Sequence, residues 1–331
     1  MMEEKIRMPF IASVITILIL ISFGLCAGGE KYPTGTINNV CLFGPGSAPD
    51  MFNRVFSKQL EKHVGVPVVT LNKAGGGGTV GISFLVSSRP DGYTVGLATL
   101  ENMIVPTITE GKPPFALSDL SIIGQIVTSY NVLVVAADAP WKTFQEFVDY
   151  ARKNPGVKYG CPGIRSTLYM RMETLSRNAN LKLIGVPFDG RAEIEAAVLG
   201  KHIPMGLMDL AGARGLEAAG KMRILFIFES PAQAGIDPKT PCLATAMDKS
   251  VQEKDIDISQ ILLVNSKTSD EIKQALNRTL EKISKDPEFH AEAKKMEVMV
   301  NPIDGETVMQ KKLPSRLEQV RAFYKEMGWL K

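Results

Sequence analysis

The sequence has 331 residues, of which 45% are hydrophobic and 22% are charged, and its formal net charge at pH 7 is +3. These values are typical of a globular protein that is long enough for two domains. The small net charge and the lack of a dense basic run argue against a nucleic-acid partner.

The first 28 residues have the layout of a secretory signal peptide. Lys5 and Arg7 precede an uncharged apolar stretch, residues 8–25, and small residues follow it. For residues 1–28 we therefore predict a signal peptide, and for the mature protein a periplasmic or other extracytoplasmic location. Two alternatives remain. About 18 apolar residues could form an uncleaved membrane anchor, and Cys26 could carry a lipid, although the large residue before it fits a lipoprotein signal poorly.

An apolar run over residues 37–43 predicts the first strand, and a loop rich in glycine and proline follows it. The next apolar positions recur at helical spacing over residues 51–60. Ser47 or Asp50 can cap this helix, because both side chains accept hydrogen bonds from the N–H groups at a helix start. The sequence thus predicts a strand, a loop and a helix N-terminus in succession.

A run of four glycines, Gly75, Gly76, Gly77 and Gly78, separates an apolar strand-like run from a short helix-like run. Glycine has no Cβ, so backbone N–H groups in such a loop are open to a ligand. The following helix start adds partial positive charge. Together they favour an anion that is bound by the main chain. Parallel strands would bring this loop and the first loop to the same edge of a sheet.

Two other interpretations compete for the glycine run. It could be a flexible link. It could also be a dinucleotide site, because Gly76, Gly78 and Gly81 match G-x-G-x-x-G and Glu101 follows about 20 residues later. That match is weak, since the segment between strand and glycines is long and this is the second such unit. A Walker-type phosphate loop is excluded more firmly, because no Lys-Ser or Lys-Thr follows the glycines.

A third strand–loop–helix unit covers residues 158–175. Its loop contains Gly163, Arg165, Ser166 and Thr167. We expect this loop to face the first two across a cleft. Arg165 is either a solvated surface side chain or a forked partner for a second carboxylate of the ligand.

The remaining elements keep alternating between strands and helices. Strands are predicted at residues 93–100, 131–136, 203–208 (before Asp209), 224–228 and 261–264, and helices from residues 143, 192, 268 and 305. This alternation predicts the α/β class with mainly parallel sheets. Two sets of strand–loop–helix units suggest two lobes with a ligand cleft between them.

No residue pattern predicts a metal, a cofactor or a catalytic triad. Cys26, Cys41, Cys161 and Cys242 lack zinc-type spacing, the three histidines are isolated, and the sequence has no G-x-S-x-G elbow. We therefore expect no cofactor and no enzymatic activity. If the protein were an enzyme with this two-lobed frame, Cys161 and Asp50 would be the only candidates for a nucleophile or a general base.

Several segments, taken in their order and spacing, resemble one known family. They are Tyr32-Pro33, Phe43 with Gly46 and Asp50, Asn72-Lys73 with the glycines to Gly81, and residues 90–94, 186–190 and 220–223. From about residue 32 to the C-terminus the chain resembles the extracytoplasmic substrate-binding receptors of tripartite tricarboxylate transporters, the Bug receptor family.

The resemblance implies a two-lobed periplasmic-binding-protein fold, similar to type II, with a ligand cleft between the lobes. We expect lobe 1 to comprise residues 29–127 and 232–331, and lobe 2 to comprise residues 128–231. Such a receptor is a monomer, closes on a small carboxylate and hands it to membrane permease subunits. The alternatives are a ligand-binding subunit of a sensory system and an enzyme on the same two-lobed scaffold.

The resemblance also implies which residues bind the ligand, mostly through backbone groups of loops. The predicted set is Phe43, Gly46, Ser47, Asp50, Gly75, Gly76, Gly77, Gly78, Gly163, Arg165, Ser166, Thr167 and, as a cleft-side residue, Asp209. The chain departs from the family pattern at Ser47, Arg165, Tyr169 and Pro204.

Overall fold

The computed structural model describes most of the chain, namely residues 32–109, 113–163, 166–188, 190–246 and 257–330. The predicted signal peptide, with Cys26, and the predicted ligand residue Arg165 lie outside these ranges. Within them, no helix combines the length and the apolar character needed to cross a bilayer.

Two β-sheets organise the described residues. The strands are β1 (Ile37–Cys41), β2 (Val68–Asn72), β3 (Thr94–Ala98), β4 (Leu120–Ser129), β5 (Asn131–Ala136), β6 (Lys158–Cys161), β7 (Ile184–Pro187), β8 (Met205–Asp209), β9 (Met222–Ile227), β10 (Ile258–Asn265) and β11 (Val298–Asp304). The first sheet has the strand order β11-β4-β10-β3-β1-β2, and the second has the order β7-β6-β8-β5-β9.

Helices follow most of these strands. They are α1 (Ala48–Val64), α2 (Thr79–Ser87), α3 (Leu100–Thr109), α4 (Phe144–Lys153), α5 (Thr167–Asn178), α6 (Arg191–Leu199), α7 (Leu210–Ala218), α8 (Pro231–Ala234), α9 (Leu243–Ala246), α10 (Asp270–Ser284), α11 (Pro287–Lys295), α12 (Gly305–Thr307) and α13 (Leu313–Glu326). Short 3₁₀ turns occur at Gly76–Gly78 and Leu117–Asp119, and a π-helical turn at Val308–Lys312 joins α12 to α13.

The sheets are mixed, so the expectation of mainly parallel sheets is wrong. Strand β1 pairs in parallel with β2 and β3, and β6 pairs in parallel with β7 and β8. Strand β10 runs antiparallel to both β3 and β4, and β5 runs antiparallel to both β8 and β9. Each sheet therefore keeps a parallel half, and the loops at the carboxyl ends of those parallel strands share one edge.

Local sequence explains why several helices begin where they do. Ser47 and Ser166 cap α1 and α5, and each side-chain oxygen accepts a hydrogen bond from a backbone N–H in the first turn. Thr143 caps α4 in the same way, and the apolar side chains of α4 that periodicity assigned to the core are buried. Strand β5 is buried on both faces, with Val132, Leu133, Val134 and Val135 at 1% exposure or less.

The chain passes from the first sheet to the second within one residue. Strand β4 ends at Ser129 and β5 begins at Asn131, so only Tyr130 separates them. The chain returns to the first sheet at β10, after an isolated bridge that still joins Cys242 to Ile227 of the second sheet. The first sheet is thus built from both ends of the chain, and the second from a continuous middle segment.

The C-terminal helix α13 and the residues just after it contact helices that follow strands of both sheets. It packs on α3, which follows a strand of the first sheet. Just beyond α13, the ring of Trp329 stacks on Tyr169 of α5, with centroids 5.9 Å apart. Arg177, also in α5, forms an ion pair with Glu326. The end of the chain therefore joins the two halves of the molecule.

Candidate functional site

A cavity of about 690 Å³ lies where loops of the two sheets meet. Its walls come from the segments after β1, β2 and β3, from β10, and from the segment between β6 and α5. The lining residues are Phe43, Pro49, Gly76, Gly77, Thr79, Thr99, Glu101, Asn102, Val105, Pro106, Thr109, Pro162, Gly163, Ser166, Thr167, Leu168, Ile258 and Gln260.

The first loop is held in shape by side chains at its base. The Asn72 side-chain amide donates to the Phe43 carbonyl at 2.9 Å and to Asp50 Oδ1 at 2.7 Å. The Ser47 hydroxyl donates to the Gly44 carbonyl at 2.8 Å. The last residue of β2 thereby fixes the loop that follows β1, and Phe43 and Pro49 are presented to the cavity.

Asp50 is an internal anchor of this loop. Its carboxylate is 2% exposed and accepts hydrogen bonds from Gly46 N at 2.9 Å and from Arg54 Nε at 3.0 Å, besides the one from Asn72. Burial opposes ionisation, but these hydrogen bonds outweigh it and hold the pKa of Asp50 below its usual range. The carboxylate is therefore ionised and fully engaged at neutral pH, and Asp50 does not line the cavity.

The glycine loop has a backbone that other residues rarely adopt. Gly75, Gly76, Gly77 and Gly78 all have positive φ, at 137°, 56°, 63° and 103°. This path turns the chain from β2 into α2 and brings Gly76 and Gly77 to the cavity wall. A side chain at these positions would be strained, which explains the run of four glycines.

Helix α3, which follows β3, supports the glycine loop, which follows β2. The Asn102 side-chain amide donates to the Gly77 carbonyl at 2.8 Å. Its carbonyl oxygen accepts a hydrogen bond from Thr99 N at 2.9 Å, which fixes the rotamer. Thr99, Glu101 and Asn102 all line the cavity, so the first turn of α3 forms part of its wall.

The loop of the second sheet closes the cavity from the other side. Ser166 Oγ donates to the Gly163 carbonyl at 2.8 Å and accepts from Tyr169 N at 3.2 Å. Gly163, Ser166 and Thr167 line the cavity at the start of α5. Cys161, at the end of β6, is fully buried, and burial raises the pKa of its thiol to about 11. A thiol that stays protonated at neutral pH is a poor nucleophile.

Three helices begin at the cavity. The wall includes Pro49 in the first turn of α1, Thr79 at the start of α2 and Thr167 at the start of α5. Each helix N-terminus carries about half a positive charge. At the start of α2, the N–H groups of Thr79 and Val80 already donate to the carbonyls of Gly76 and Gly75. Among the described lining residues, Glu101 is the only charged side chain. Among the described lining residues, the groups that favour an anion are therefore backbone groups at helix starts and not cationic side chains.

The structure brings together six of the predicted ligand residues in the cavity wall, namely Phe43, Gly76, Gly77, Gly163, Ser166 and Thr167. Gly46, Ser47, Asp50, Gly75 and Gly78 belong to the same loops but are not among the lining residues. Whether any of them contacts a ligand stays a prediction, and Arg165 lies outside the described ranges.

Asp209 lies apart from the other predicted residues. It caps α7 by accepting a hydrogen bond from Gly212 N at 2.9 Å. Its carboxylate also pairs with Arg191 at 3.1 Å. It does not line the cavity, and these two partners of its side chain belong to α6 and α7.

Sequence reasoning missed the wall contributed by α3 and β10. Thr99, Asn102, Val105, Ile258 and Gln260 were not proposed as site residues, although all line the cavity. The available signal was the polar pair Glu101-Asn102 directly after the strand predicted at residues 93–100, which is the position where side chains reach a sheet-edge ligand. Across the described residues, no group of three or more His, Cys, Asp or Glu side chains could hold a metal ion.

Comparisons with known proteins agree on the family to which the chain is similar. The sequence profile described as "Tripartite tricarboxylate transporter family receptor" matches residues 52–326. A curated relative from Cupriavidus necator, the "UPF0065 protein in gbd 5'region", is 32% identical over 235 residues, which are 70% of this chain and 71% of the relative.

Solved structures with the same fold include two informative neighbours. The periplasmic binding protein BugD aligns with a TM-score of 0.74 at 21% identity, over 91% of this chain and all of that one. Rpa4515 from R. palustris, determined with adipate, aligns with a TM-score of 0.75 at 19% identity, over 90% of this chain and 99% of that one. Both show that the fold is that of two-lobed periplasmic binding proteins.

Proposed function

The chain belongs to the tripartite tricarboxylate transporter receptor family, and from this premise we propose that it is an extracytoplasmic receptor that captures a small carboxylate and delivers it to membrane permease subunits. The observation that carries the proposal is the cavity at which α1, α2 and α5 begin. Two of these helices follow strands of the first sheet, and the third follows a strand of the second.

We assign the carboxylate to the backbone of the three loops. Gly76 and Gly77 supply a wall without side chains, and Ser166 and Thr167 supply a helix N-terminus from the opposite side. Hydrogen bonds to a charged carboxylate contribute about 1.5–3 kcal/mol each. Several of them account for micromolar affinity, which corresponds to about −8 kcal/mol. Adipate in Rpa4515 is a carboxylate ligand of the size that a cavity of this volume accommodates.

Capture proceeds by closure of two lobes, lobe 1 (residues 29–127 and 232–331) on lobe 2 (residues 128–231). A ligand that touches loops of both lobes binds the closed form better and shifts the population toward it. The receptor acts as a periplasmic monomer after removal of residues 1–28. In this proposal the protein is not an enzyme, because Asp50 is engaged by hydrogen bonds and the thiol of Cys161 is buried and protonated.

Calorimetric titration of the purified protein with di- and tricarboxylates, acidic amino acids and aromatic acids tests the binding role. A ligand at about 100 times its dissociation constant is expected to stabilise the native state by about 2.7 kcal/mol, visible as a raised Tm. Trp329, one of only two tryptophans, stacks between the two halves and is expected to report closure by a change in fluorescence. If no small anion changes the heat, the Tm or the fluorescence, the receptor proposal fails.

Delivery to a permease needs its own test. Vesicles that contain the candidate permease subunits are expected to accumulate a radiolabelled carboxylate only when the receptor is added. Binding without any effect on uptake would favour the sensory alternative, in which the closed receptor signals through a membrane protein instead.

A further inference from the structure

Gln260 of β10 is a polar side chain that is accessible from the cavity. It lines the cavity and is partly exposed. The preceding residue, Ser259, is 3% exposed, and its Oγ lies 3.0 Å from Thr128 Oγ1 and 3.2 Å from Lys312 Nζ, away from the cavity wall. Successive side chains of a strand project from opposite faces. Gln260 therefore shares the cavity face of β10 with Ile258, which also lines the cavity.

The backbone of β10 is irregular at this residue. The antiparallel pairing of β10 with β4 shifts its register between Gln260 and Ile261. Such bulges often redirect a side chain beside a binding site. Toward β3, Ile261 lies opposite Ala98, so Gln260 comes beside the end of β3, from which Thr99 continues into the cavity wall. Gln260 thus lies at the sheet edge at which β1, β2 and β3 end.

The other polar side chains that α3 contributes to the wall are already engaged. The Asn102 amide donates to the Gly77 carbonyl at 2.8 Å, and Thr99 Oγ1 donates to Asn102 Oδ1 at 3.1 Å. Thr109 Oγ1 donates to a backbone carbonyl of its own helix at 2.8 Å. The Gln260 amide, in contrast, makes no hydrogen bond with any described residue. It keeps both its donor and its acceptor for a ligand.

The charges behind this part of the wall cancel one another. Arg316 of α13 donates to Glu101 Oε1 and to the Asp257 carboxylate, and Lys312 Nζ lies 2.8 Å from Asp257. Two acids and two bases thus form a neutral cluster. The other side chains that α3 and β10 contribute to the wall are apolar, namely Val105, Pro106 and Ile258. The described residues on this side of the cavity therefore supply no unpaired positive charge to a second carboxylate.

We propose that Gln260 is a specificity-determining residue that binds an uncharged polar group at the end of the ligand opposite its carboxylate. The inference rests on the proposed receptor function and names its substrate class: carboxylates whose far end is an amide or a keto group. The carboxylate lies toward the starts of α1, α2 and α5, and the uncharged end lies toward β10. A primary amide is the best match, because it donates to the Gln260 carbonyl oxygen and accepts from the Gln260 NH₂ group.

The same arrangement disfavours other ligand ends. Lobe closure removes water from the cavity. An apolar end then leaves the Gln260 amide unpaired, and a site that hydrogen-bonds one substrate group discriminates against the analogue that lacks it. A second carboxylate can accept from the NH₂ group, but its charge is desolvated without a positive partner on this side, which is costly.

The test compares ligands of equal size that differ only in their far end. In the short series, 4-methylpentanoate, 4-oxopentanoate, succinamate and succinate end in an apolar, a keto, an amide and a carboxylate group. A longer series consists of 6-methylheptanoate, 6-oxoheptanoate, adipamate and adipate. Calorimetric titrations use wild type, Gln260→Met and the control Gln274→Met, which makes the same change at an exposed position on α10.

In wild type and in the control, the amide and keto members of at least one series are expected to bind tenfold or more tightly than the apolar member, and the amide member more tightly than the dicarboxylate. In Gln260→Met, the advantage of the amide member over the apolar member is expected to fall to threefold or less, while the apolar member binds at least as tightly as in wild type. A merely structural role would weaken all four members alike.

Gln260→Glu is the second variant and decides the question if Gln260→Met does not fold. Its ionised carboxylate accepts hydrogen bonds but donates none. The keto member, which needs a donor, is therefore expected to lose its advantage over the apolar member, and a keto preference that survives in Gln260→Glu would contradict the inference.

Four further results would overturn the inference while leaving the receptor function intact. The amide and apolar members bind within twofold of each other in both series, or Gln260→Met keeps the full amide preference. The dicarboxylate binds tightest, which is the result expected if Arg165 pairs with a second carboxylate, or carboxylates of the wider panel bind while no member of either series does. If no carboxylate binds at all, the receptor proposal fails and the inference fails with it.

Discussion

The side-chain amide of Asn102 donates a hydrogen bond to the backbone carbonyl of Gly77, with 2.8 Å between the two atoms. A helix that follows β3 thereby holds a loop that follows β2. The four glycines of that loop have no side chains of their own with which to fix it, so its shape depends on such contacts from outside.

Asn102→Ala is therefore expected to weaken carboxylate binding about tenfold, because about 1.4 kcal/mol of loop ordering is lost. The control is Asn178→Ala, whose amide donates to the Thr174 carbonyl at an exposed site in α5. Titration and thermal melting of both variants check the prediction. An unchanged dissociation constant for Asn102→Ala would show that the loop holds its shape without this contact.

Asp50→Asn is expected to destabilise the native state by about 2–3 kcal/mol and to weaken binding, because charge-assisted hydrogen bonds from Arg54 and Gly46 are lost at the base of the first loop. Asp138→Asn is the matched control. Asp138 pairs with Lys201 at 2.6 Å, but both side chains are mainly exposed, so little stability depends on it. Equal urea midpoints for the two variants would contradict the anchoring role.

Two N-cap substitutions, one inside and one outside the cavity, distinguish an effect on stability from an effect on ligand binding. Ser166→Ala and Thr143→Ala each remove an N-cap side chain, from α5 and α4 respectively, and each is expected to lower stability by about 1 kcal/mol. Only Ser166 lines the cavity. Titrations are expected to show weaker carboxylate binding for Ser166→Ala alone. A comparable loss of affinity in Thr143→Ala would mean that general destabilisation, rather than the site, is responsible.

Glu173→Gln is expected to raise the Tm at pH 7. Burial raises the pKa of Glu173 and outweighs the opposing effects of Tyr159 and Arg177. A raised pKa means that this group supports the fold below its ordinary pKa and loses that support as pH rises through the folded value. Glutamine stays neutral and still accepts the Tyr159 hydroxyl, which donates to Glu173 Oε1 at 2.7 Å.

The gain from Glu173→Gln is expected to shrink toward pH 4, where the wild-type carboxyl is protonated. Glu318→Gln, at an exposed position, is expected to change the Tm little at either pH. Melting curves recorded across this pH range decide the matter. A Tm gain that stays constant with pH would show that the charge of Glu173 is not the cause.

The sequence predicted those elements whose structure depends on neighbouring residues, through apolar spacing, helix capping or glycine conformation. The strand at residues 131–136 and the helix after Thr143 stand where apolar spacing and capping placed them. The glycine loop was found because positive φ at four residues demands glycine. Asp209 was proposed for the cleft from the family resemblance, and the structure shows that its carboxylate caps α7.

Other features of the fold could not be predicted, because no pattern among neighbouring residues indicates them. Helix α3 was missed because it follows β3 without a glycine or a turn, and because Pro106 lies inside it, where proline normally argues against a helix. The pairings that make the sheets mixed involve strands far apart in sequence. Arg316 could not be linked to Glu101 from sequence, because only the packing of α13 on α3 brings the two together.

The position of β10 has a consequence for how the chain matures. This strand fills the middle of the first sheet, between β3 and β4, yet it is synthesised long after both of them. While the ribosome is still producing the C-terminal part, β3 and β4 each keep an unpaired edge. The second sheet can finish earlier, because its strands form a continuous segment. The first sheet therefore cannot close until β10 has been synthesised and has paired with both strands.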